Sequence, residues 1–167
     1  MRPQRIHLIC ECRAGLAAGL GLLAAELAQA GVVYEKIAQV DTPIEFVVDE
    51  KGPVAPEPGD ALLALWDGSR DIDGLLAGWT GTGYPAYIIC PASADAARLA
   101  DACTEKGLQY CGALLVPNLG KAPALTRSPR MGFARRQVSE AADRLLYAAR
   151  MGEAFEPQTA RFRTLRR

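Results

Sequence analysis

Two cysteines separated by a single residue, Cys10 and Cys12, lie at the end of the first apolar run, and Cys90 ends a later one. The carboxyl ends of parallel strands meet at one edge of a sheet, so these three thiols are candidates for metal binding or redox chemistry. The alternative, favoured because no C-x-x-C pair is present, is that they are small buried hydrophobic residues. Cys103 and Cys111 stand at core-like positions, which disfavours a cysteine-rich iron–sulfur centre. We therefore expect no metal.

Two further polar residues are candidates for chemistry. The only histidine, His7, lies within an apolar run, which predicts a core or sheet-face side chain rather than a catalytic base. A Ser-His-Asp triad or a histidine metal site is not expected from one such residue. Asp67 directly follows another apolar run, where a carboxylate either faces a ligand hydroxyl or caps the next helix.

Arginine carries the positive charge near the C-terminus. These arginines precede or begin the last predicted helix, or follow it: Arg127, Arg130, Arg135, Arg136, Arg161, Arg163, Arg166 and Arg167. Such a charge run is usually a solvated surface. The more specific interpretation is that these arginines bind an anionic partner, such as the 2′-phosphate of a nicotinamide nucleotide, a nucleic acid or an acidic protein surface. No nucleic-acid-binding motif is recognisable, and Lys+Arg and Asp+Glu balance at 19 each.

The composition predicts one globular domain. The chain has 167 residues, half of them hydrophobic, which is enough for a single core. Since no run of 18 apolar residues occurs, no membrane-spanning helix is expected. The odd number of cysteines, five, fits a reducing compartment, so a cytoplasmic protein is predicted. We expect an α/β domain over residues 1–152 and a basic C-terminal tail over residues 153–167.

The clearest local pattern is a strand–helix–strand unit. An apolar run, Ala86–Cys90, is followed by Ser93 at the expected N-cap of a helix. Apolar residues then recur at helical spacing over 96–103, and Gly107 is expected to end the helix. A second apolar run, Leu108–Val116, follows at once. This order predicts a βαβ unit and hence a parallel sheet.

The rest of the chain extends that pattern into a doubly wound α/β fold. Further strands are predicted at Arg5–Cys10, Val32–Val40 and Asp60–Trp66, and helices at Ala14–Ala30, Ile72–Trp79 and Gly132–Arg150. The proline-rich stretch between them predicts at most a short edge strand or hairpin at Ile44–Gly52. The expected sheet has five parallel strands in the order 2-1-3-4-5. Its expected core includes Ile6, Leu8, Leu63, Ile88, Ile89 and Leu115.

Part of the chain resembles a known family. The segment from Pro85 to Gly120 resembles the fourth-to-fifth-strand segment of the flavodoxin-like family, which includes NAD(P)H-dependent flavin reductases and iron–sulfur flavoproteins. Glu105-Lys106-Gly107-Leu108, followed by Gly112, matches the end of its helix and the start of its fifth strand. Asp60–Trp79 resembles its third-strand segment. Together the two segments make up about a third of the 167 residues. The resemblance implies FMN as cofactor and NAD(P)H as electron donor.

The first-strand loop departs from the family pattern. FMN-binding members carry Ser, Thr, Gly or Asn there, whereas Cys10–Gly15 contains no hydroxyl group. Glu11 brings negative charge near a phosphate, Arg13 offsets it, and a helix beginning near Ala14 offers backbone amides. The expected ligand site lies where the first, third and fourth strands end. Its expected residues are Glu11, Arg13, Ala14, Gly15, Asp67, Gly68, Ser69, Pro91 and Ser93.

Two functions follow from this combination. The first is an FMN-binding, NAD(P)H-dependent oxidoreductase, in which the cofactor carries the electron chemistry. The alternative is a flavodoxin-fold protein that has lost flavin and acts as a binding or interaction module. Both imply a small-molecule or nucleotide ligand and no membrane partner. A homodimer is also expected, with apolar surface at Phe46, Val47, Val48 and Trp79.

Overall fold

A parallel β-sheet organises the computed structural model of the chain, which describes residues 5–11, 45–48, 55–66, 68, 71–79, 83–116 and 129–159. Within these residues the strands are β1 (Arg5–Glu11), β2 (Glu45–Val48), β3 (Ala61–Trp66), β4 (Pro85–Pro91), β5 (Gln109–Val116) and β6 (Gln158–Thr159). Their order across the sheet is β2-β1-β3-β4-β5-β6, and every neighbouring pair is parallel.

The central strands are apolar along their whole length because helices cover both faces of a parallel sheet. In β3 every side chain except Trp66 is buried, and in β4 every side chain except Pro91 is buried. The predicted α/β class with a parallel sheet is confirmed. Of the predicted core, Ile6, Leu8, Leu63, Ile88 and Ile89 are buried. Leu115 is only partly buried, so that assignment was wrong.

The strands differ from the prediction in number and in the identity of the second. The predicted second strand, Val32–Val40, lies outside the described residues. The strand that pairs with β1 on its outer side is Glu45–Val48, from the stretch expected to give a short edge strand. A sixth strand, β6, comes from the segment predicted to be a tail. The structure therefore does not confirm the five strands as predicted, because the strand outside β1 is Glu45–Val48 and a sixth strand follows β5.

Helices lie on both faces of the sheet. Three pack on one face: α1 (Ile72–Leu75), a 3-10 helix (Ala77–Trp79) and α2 (Ala96–Glu105). The third α-helix, α3 (Pro129–Met151), packs against β3, β4 and β5. None of its residues belongs to the cluster of buried residues around α1 and α2, which places α3 on the opposite face.

The ends of α2 correct one prediction and confirm another. Asp95, not Ser93, is the N-cap: its side chain accepts hydrogen bonds from the backbone N–H groups of Ala97 and Arg98. Ser93 lies in the exposed turn two residues earlier. Gly107 ends the helix as predicted, with a φ of +74° that suits glycine.

The predicted apolar dimer surface is corrected at one position. Trp79 is only 3% exposed, since it packs within the core beneath α1 and α2. It is therefore unavailable for contact with a second copy. Val47 is partly buried, and the side chains of Phe46 and Val48 lie outside the described part of the structure.

A bulge in β5 is built around Gly112. The register with β4 shifts here, because Ala86 pairs with Tyr110 while Tyr87 pairs with Gly112. Gly112 has a φ of +140°, and a Cβ at this position would lie 2.8 Å from Tyr87 Cε2 and 3.2 Å from the Phe155 carbonyl oxygen. Both the backbone conformation and the close packing therefore require glycine.

We predict that Gly112→Ala lowers the free energy of unfolding by about 2–4 kcal/mol, since it combines backbone strain with a steric clash. The matched control is Gly78→Ala in the 3-10 helix, where an added Cβ meets nothing within 4 Å. That variant is expected to change stability by less than about 1 kcal/mol. Denaturant unfolding of both variants provides the comparison, and equal effects would contradict the assignment.

Candidate functional site

The carboxyl edge of the sheet contains a topological switch point between β1 and β3. The chain leaves β1 for β2 on one side, whereas β3 leads to β4 on the other. The last register pair between these two strands is Glu11 with Trp66. In open parallel sheets, ligands bind in the crevice that opens where neighbouring connections diverge in this way.

Besides the backbone of Glu11, three of the predicted site residues lie at this edge within the described structure. Gly68 follows β3 with a φ of +82°, and a Cβ placed there would lie 3.8 Å from Pro91 Cγ. Pro91 is therefore packed beside the turn after β3, and Ser93 is exposed in the turn after β4. The sheet thus brings Gly68 and Pro91 together. Trp66, half-buried at the end of β3, flanks the same edge.

The other predicted site residues fall mostly outside the described part of the chain. The backbone of Glu11 ends β1, but its side chain is not described. Arg13, Ala14 and Gly15 lie beyond it in the sequence, as do Asp67 and Ser69 beside Gly68, and none of these five belongs to the described residues. Their part in the site therefore stays a prediction.

The N-terminus of α2 does not provide a phosphate site. Its first amide groups are already bonded to the Asp95 carboxylate, whose negative charge repels an anion. α1 has only four residues, and Asp71 caps its N-terminus in the same way. A phosphate at this edge therefore depends on the predicted helix near Ala14.

The thiol of Cys90 belongs to the core, although its strand ends at the candidate site. The side chain is fully buried, and Sγ lies 3.7 Å from the Leu114 carbonyl oxygen. Burial raises the pKa of Cys90, and likewise those of Cys103 and Cys111, to about 12. Such thiols stay protonated at neutral pH and are poor nucleophiles or metal ligands. Within the described residues no group of His, Cys, Asp and Glu is arranged to hold a metal.

A second polar cluster, centred on Asp60, lies at the amino edge of the sheet. Asp60 immediately precedes β3 and is 3% exposed. Arg5 donates to both of its oxygens, from Nε at 3.2 Å and from Nη2 at 2.7 Å. The backbone N–H of Glu57 donates to Oδ2 at 2.9 Å, and His7 Nε2 lies 2.8 Å from the same oxygen. The carboxylate thus ties β1 to β3.

His7 is a core residue, as predicted. Its ring is fully buried and meets the Trp79 ring edge-on, with centroids 4.9 Å apart. Trp79 in turn meets Tyr84 edge-on at 5.4 Å. Sequence reasoning missed the His7 partner, because Asp60 lies 53 residues away. The only available signal was a carboxylate at the start of an otherwise apolar run.

Burial alone would raise the pKa of Asp60. Hydrogen bonds from Arg5, from the Glu57 backbone and from His7, together with the charge of Arg5, outweigh burial and hold the pKa below its ordinary value of 3.8. A carboxylate with a lowered pKa stabilises the fold above its unfolded pKa. That stabilisation is lost as the pH falls from 3.8 through the folded-state value.

We predict that Asp60→Asn lowers the free energy of unfolding at neutral pH by about 2–3 kcal/mol, since it leaves buried donors without their charged acceptor. The difference from the parent should shrink below pH 3.8 as the parent carboxylate is protonated. Denaturant unfolding across this pH range measures both effects. Asp101→Asn on the exposed surface of α2 is the control. If it lowered the free energy of unfolding as much as Asp60→Asn does, the Asp60 carboxylate would have no special stabilising role.

A third polar group lies where α3 packs on the sheet. Asp143 is 3% exposed, and its Oδ1 has no hydrogen-bond partner among the described residues. Burial raises the pKa of Asp143 to about 7, the nearby charge of Glu140 adds to the rise, and Arg144 opposes it. Burial also raises the pKa of Tyr87, whose hydroxyl has no hydrogen-bond partner within the part of the chain that the structure describes, and the charge of Arg144 partly offsets that rise.

Because the pKa of Asp143 is higher in the fold than in the unfolded chain, the fold loses stability as the pH rises from 3.8 to about 7. Asp143→Asn should therefore raise the free energy of unfolding by about 1–3 kcal/mol at pH values above about 7. It should change little below pH 3.8, where the parent side chain is already neutral. The control is exposed Glu153→Gln, and a pH-independent effect of Asp143→Asn would contradict the assignment.

Comparisons of the chain with models of protein families, with curated proteins and with solved structures returned no match. None of the helices in the described part of the chain combines the length and hydropathy needed to cross a membrane.

Proposed function

We propose that the protein binds FMN at the carboxyl edge of β1, β3 and β4 and acts as an NAD(P)H-dependent oxidoreductase. The observation that carries this proposal is the switch point between β1 and β3, where Glu11 and Trp66 form the last register pair. Ligands of open parallel sheets bind at such points. The position of β1 between β2 and β3 also supports a flavodoxin-like arrangement of the sheet.

The described residues at this edge are compatible with a flat ring. Gly68 is exposed and carries no side chain, the Cγ of Pro91 lies 3.8 Å from its Cβ position, and Trp66 is half-buried at the end of β3. Ser93 adds an exposed hydroxyl for a polar ring substituent or a ribityl chain. FMN, when bound, would supply the electron transfer, while these residues would orient the ring and limit its contact with water.

The phosphate half of the ligand would depend on the loop after β1. Arg13 would pair with the phosphate, and backbone amides from Ala14 and Gly15 would donate hydrogen bonds to it. Glu11 opposes this arrangement through its like charge. Asp67 and Ser69, on either side of Gly68 in the sequence, would belong to the same site, and the carboxylate of Asp67 would accept a hydrogen bond from a ligand hydroxyl.

The test is a titration of the purified chain with FMN, read by quenching of flavin fluorescence. Arg13→Ala should weaken binding by about 1.5–3 kcal/mol, the range for a hydrogen bond to a charged group. Glu11→Ser should leave binding unchanged or strengthen it, because it removes a like charge and adds a hydroxyl. Arg150→Ala, in the last turn of α3 at the opposite edge of the sheet, is the matched control and should bind as the parent does.

An absorption spectrum adds an independent reading. A protein purified with its flavin should absorb at about 450 nm, where oxidised flavins absorb. If the parent neither carries nor binds FMN, the oxidoreductase proposal is wrong, and a binding or interaction module becomes the better account. If Arg13→Ala and Arg150→Ala bind FMN equally, the phosphate does not lie at the loop after β1.

A further inference from the structure

The last strand, β6, brings the chain back to the carboxyl edge of the sheet. It runs parallel to β5, with Gln158 beside Leu114 and Thr159 beside Leu115. Leu115 in turn pairs with Cys90 of β4, one residue before that strand ends. Thr159 therefore lies level with the end of β4, at the edge that contains the candidate site.

The position of β6 is fixed by contacts that precede it in the chain. The backbone N–H of Phe155 donates a 2.9 Å hydrogen bond to the carbonyl oxygen of Cys111 in β5. The Phe155 ring packs against that of Tyr147 on α3, with centroids 5.6 Å apart. Phe155 Cβ lies 3.3 Å from the point where Gly112 would carry its own Cβ, so the glycine leaves room for it. These contacts set the direction in which the chain leaves the sheet.

Residues 160–167, ARFRTLRR, follow β6 directly, and we call them the arginine segment. They contain no acidic residue and four arginines, namely Arg161, Arg163, Arg166 and Arg167. The segment lies outside the described residues, which end at Thr159. Since Thr159 is at the carboxyl edge, the arginine segment begins at that edge.

The arginine segment is long enough to reach the candidate site. Neighbouring strands lie about 4.8 Å apart, so in the observed strand order β6 is about 10 Å from β4, about 14 Å from β3 and about 19 Å from β1. An extended chain of this length spans roughly 26 Å. Arg166 and Arg167 are therefore within reach of the ends of β3 and β1.

The described part of this edge has no cation in its turns. As far as the structure describes the turns after β3 and β4 (residues 68, 71 and 92–95), they contain Asp71 and Asp95 and neither lysine nor arginine. Both carboxylates accept hydrogen bonds from N–H groups of the helices that follow, so these amides are not available to a phosphate. A ligand with several phosphates needs cations from other parts of the chain.

The number of arginines fits a dinucleotide better than FMN alone. FMN carries a single phosphate, for which Arg13 and the predicted helix near Ala14 are the expected partners. NADPH carries a diphosphate and a further 2′-phosphate, which NADH lacks. Arginine is always charged and binds a phosphate through two parallel hydrogen bonds, so clustered arginines favour the ligand that carries the additional phosphate.

We propose that the arginine segment binds the 2′-phosphate of NADPH at the carboxyl edge, and that the protein therefore prefers NADPH to NADH. This preference rests on the proposed function, because an electron donor is needed only where FMN is bound. β6 is the element that positions the arginines, since it places the start of their segment beside β5 and level with the end of β4.

The first test is calorimetric titration of the full chain with two fragments of the nucleotide. Adenosine 2′,5′-bisphosphate carries the 2′-phosphate, and 5′-AMP lacks it. The parent should bind the bisphosphate at least about tenfold more tightly than 5′-AMP, the scale of one hydrogen bond between charged groups. Replacing the four arginines of the segment by glutamine should remove most of this difference.

The matched control replaces the same four arginines by lysine, which keeps the charge but loses the paired hydrogen bonds. It should retain part of the preference for the bisphosphate. The glutamine variant should bind FMN as the parent does, because the FMN phosphate is expected at the loop after β1. Denaturant unfolding verifies that both variants fold.

The second test compares NADPH with NADH as electron donor for the FMN-loaded protein. In the glutamine variant, the ratio of kcat/KM for NADPH to kcat/KM for NADH should fall at least about tenfold, mainly through a higher KM for NADPH. The kcat with NADH should stay unchanged.

Three results would contradict the proposal. One is a parent that binds FMN but binds the two fragments equally, which would leave the proposed function standing. Another is a glutamine variant that still discriminates as the parent does, which would place the 2′-phosphate elsewhere. The third is a glutamine variant that loses FMN, which would assign the arginines to the FMN phosphate. A parent that binds no FMN would instead overturn the proposed function, and this preference with it.

Discussion

The carboxylate of Asp60 joins the two strands on which the candidate site depends. It precedes β3, and its bonds to Arg5 and His7 reach across to β1. The register follows from this contact, because Ile6 pairs with Ala61 and the ladder then runs to Glu11 beside Trp66. A slip of one residue would turn every apolar side chain of a strand to the other face of the sheet. The bonds of Asp60 at the amino edge therefore also help to fix the pairing of Glu11 with Trp66 at the carboxyl edge.

The two edges of the sheet thus differ in structure. The amino edge is closed by the buried network around Asp60 and by the Trp79 ring against His7. At the carboxyl edge the chain turns through Gly68 and leaves Ser93 exposed. A rigid scaffold beneath loops that carry polar and small residues is the usual arrangement in proteins that bind ligands at this position. On the β5 side, the sheet is closed by β6, which pairs with Leu114 and Leu115.

The sequence predicted the elements whose signals are local and missed contacts that depend on distant residues. Long apolar runs identified β1, β3, β4 and β5, and helical spacing identified α2 and α3. Ser93 was predicted as the N-cap from its position after the apolar run, whereas the turn that follows β4 delays the start of α2, so Asp95 is the cap. The segment Glu153–Thr159 was predicted to be a tail, because its charges and proline give no sign of the short strand that pairs with β5 beyond Phe155. The site residues of the loop after β1 remain predictions.

The most direct test of the account is peptide-resolved hydrogen exchange of the full chain with and without FMN. The account predicts slower exchange in peptides that contain the carboxyl ends of β1, β3 and β4, and no change in peptides around Asp60 at the amino edge. Protection confined to the amino edge, or no protection at saturating FMN, would contradict it.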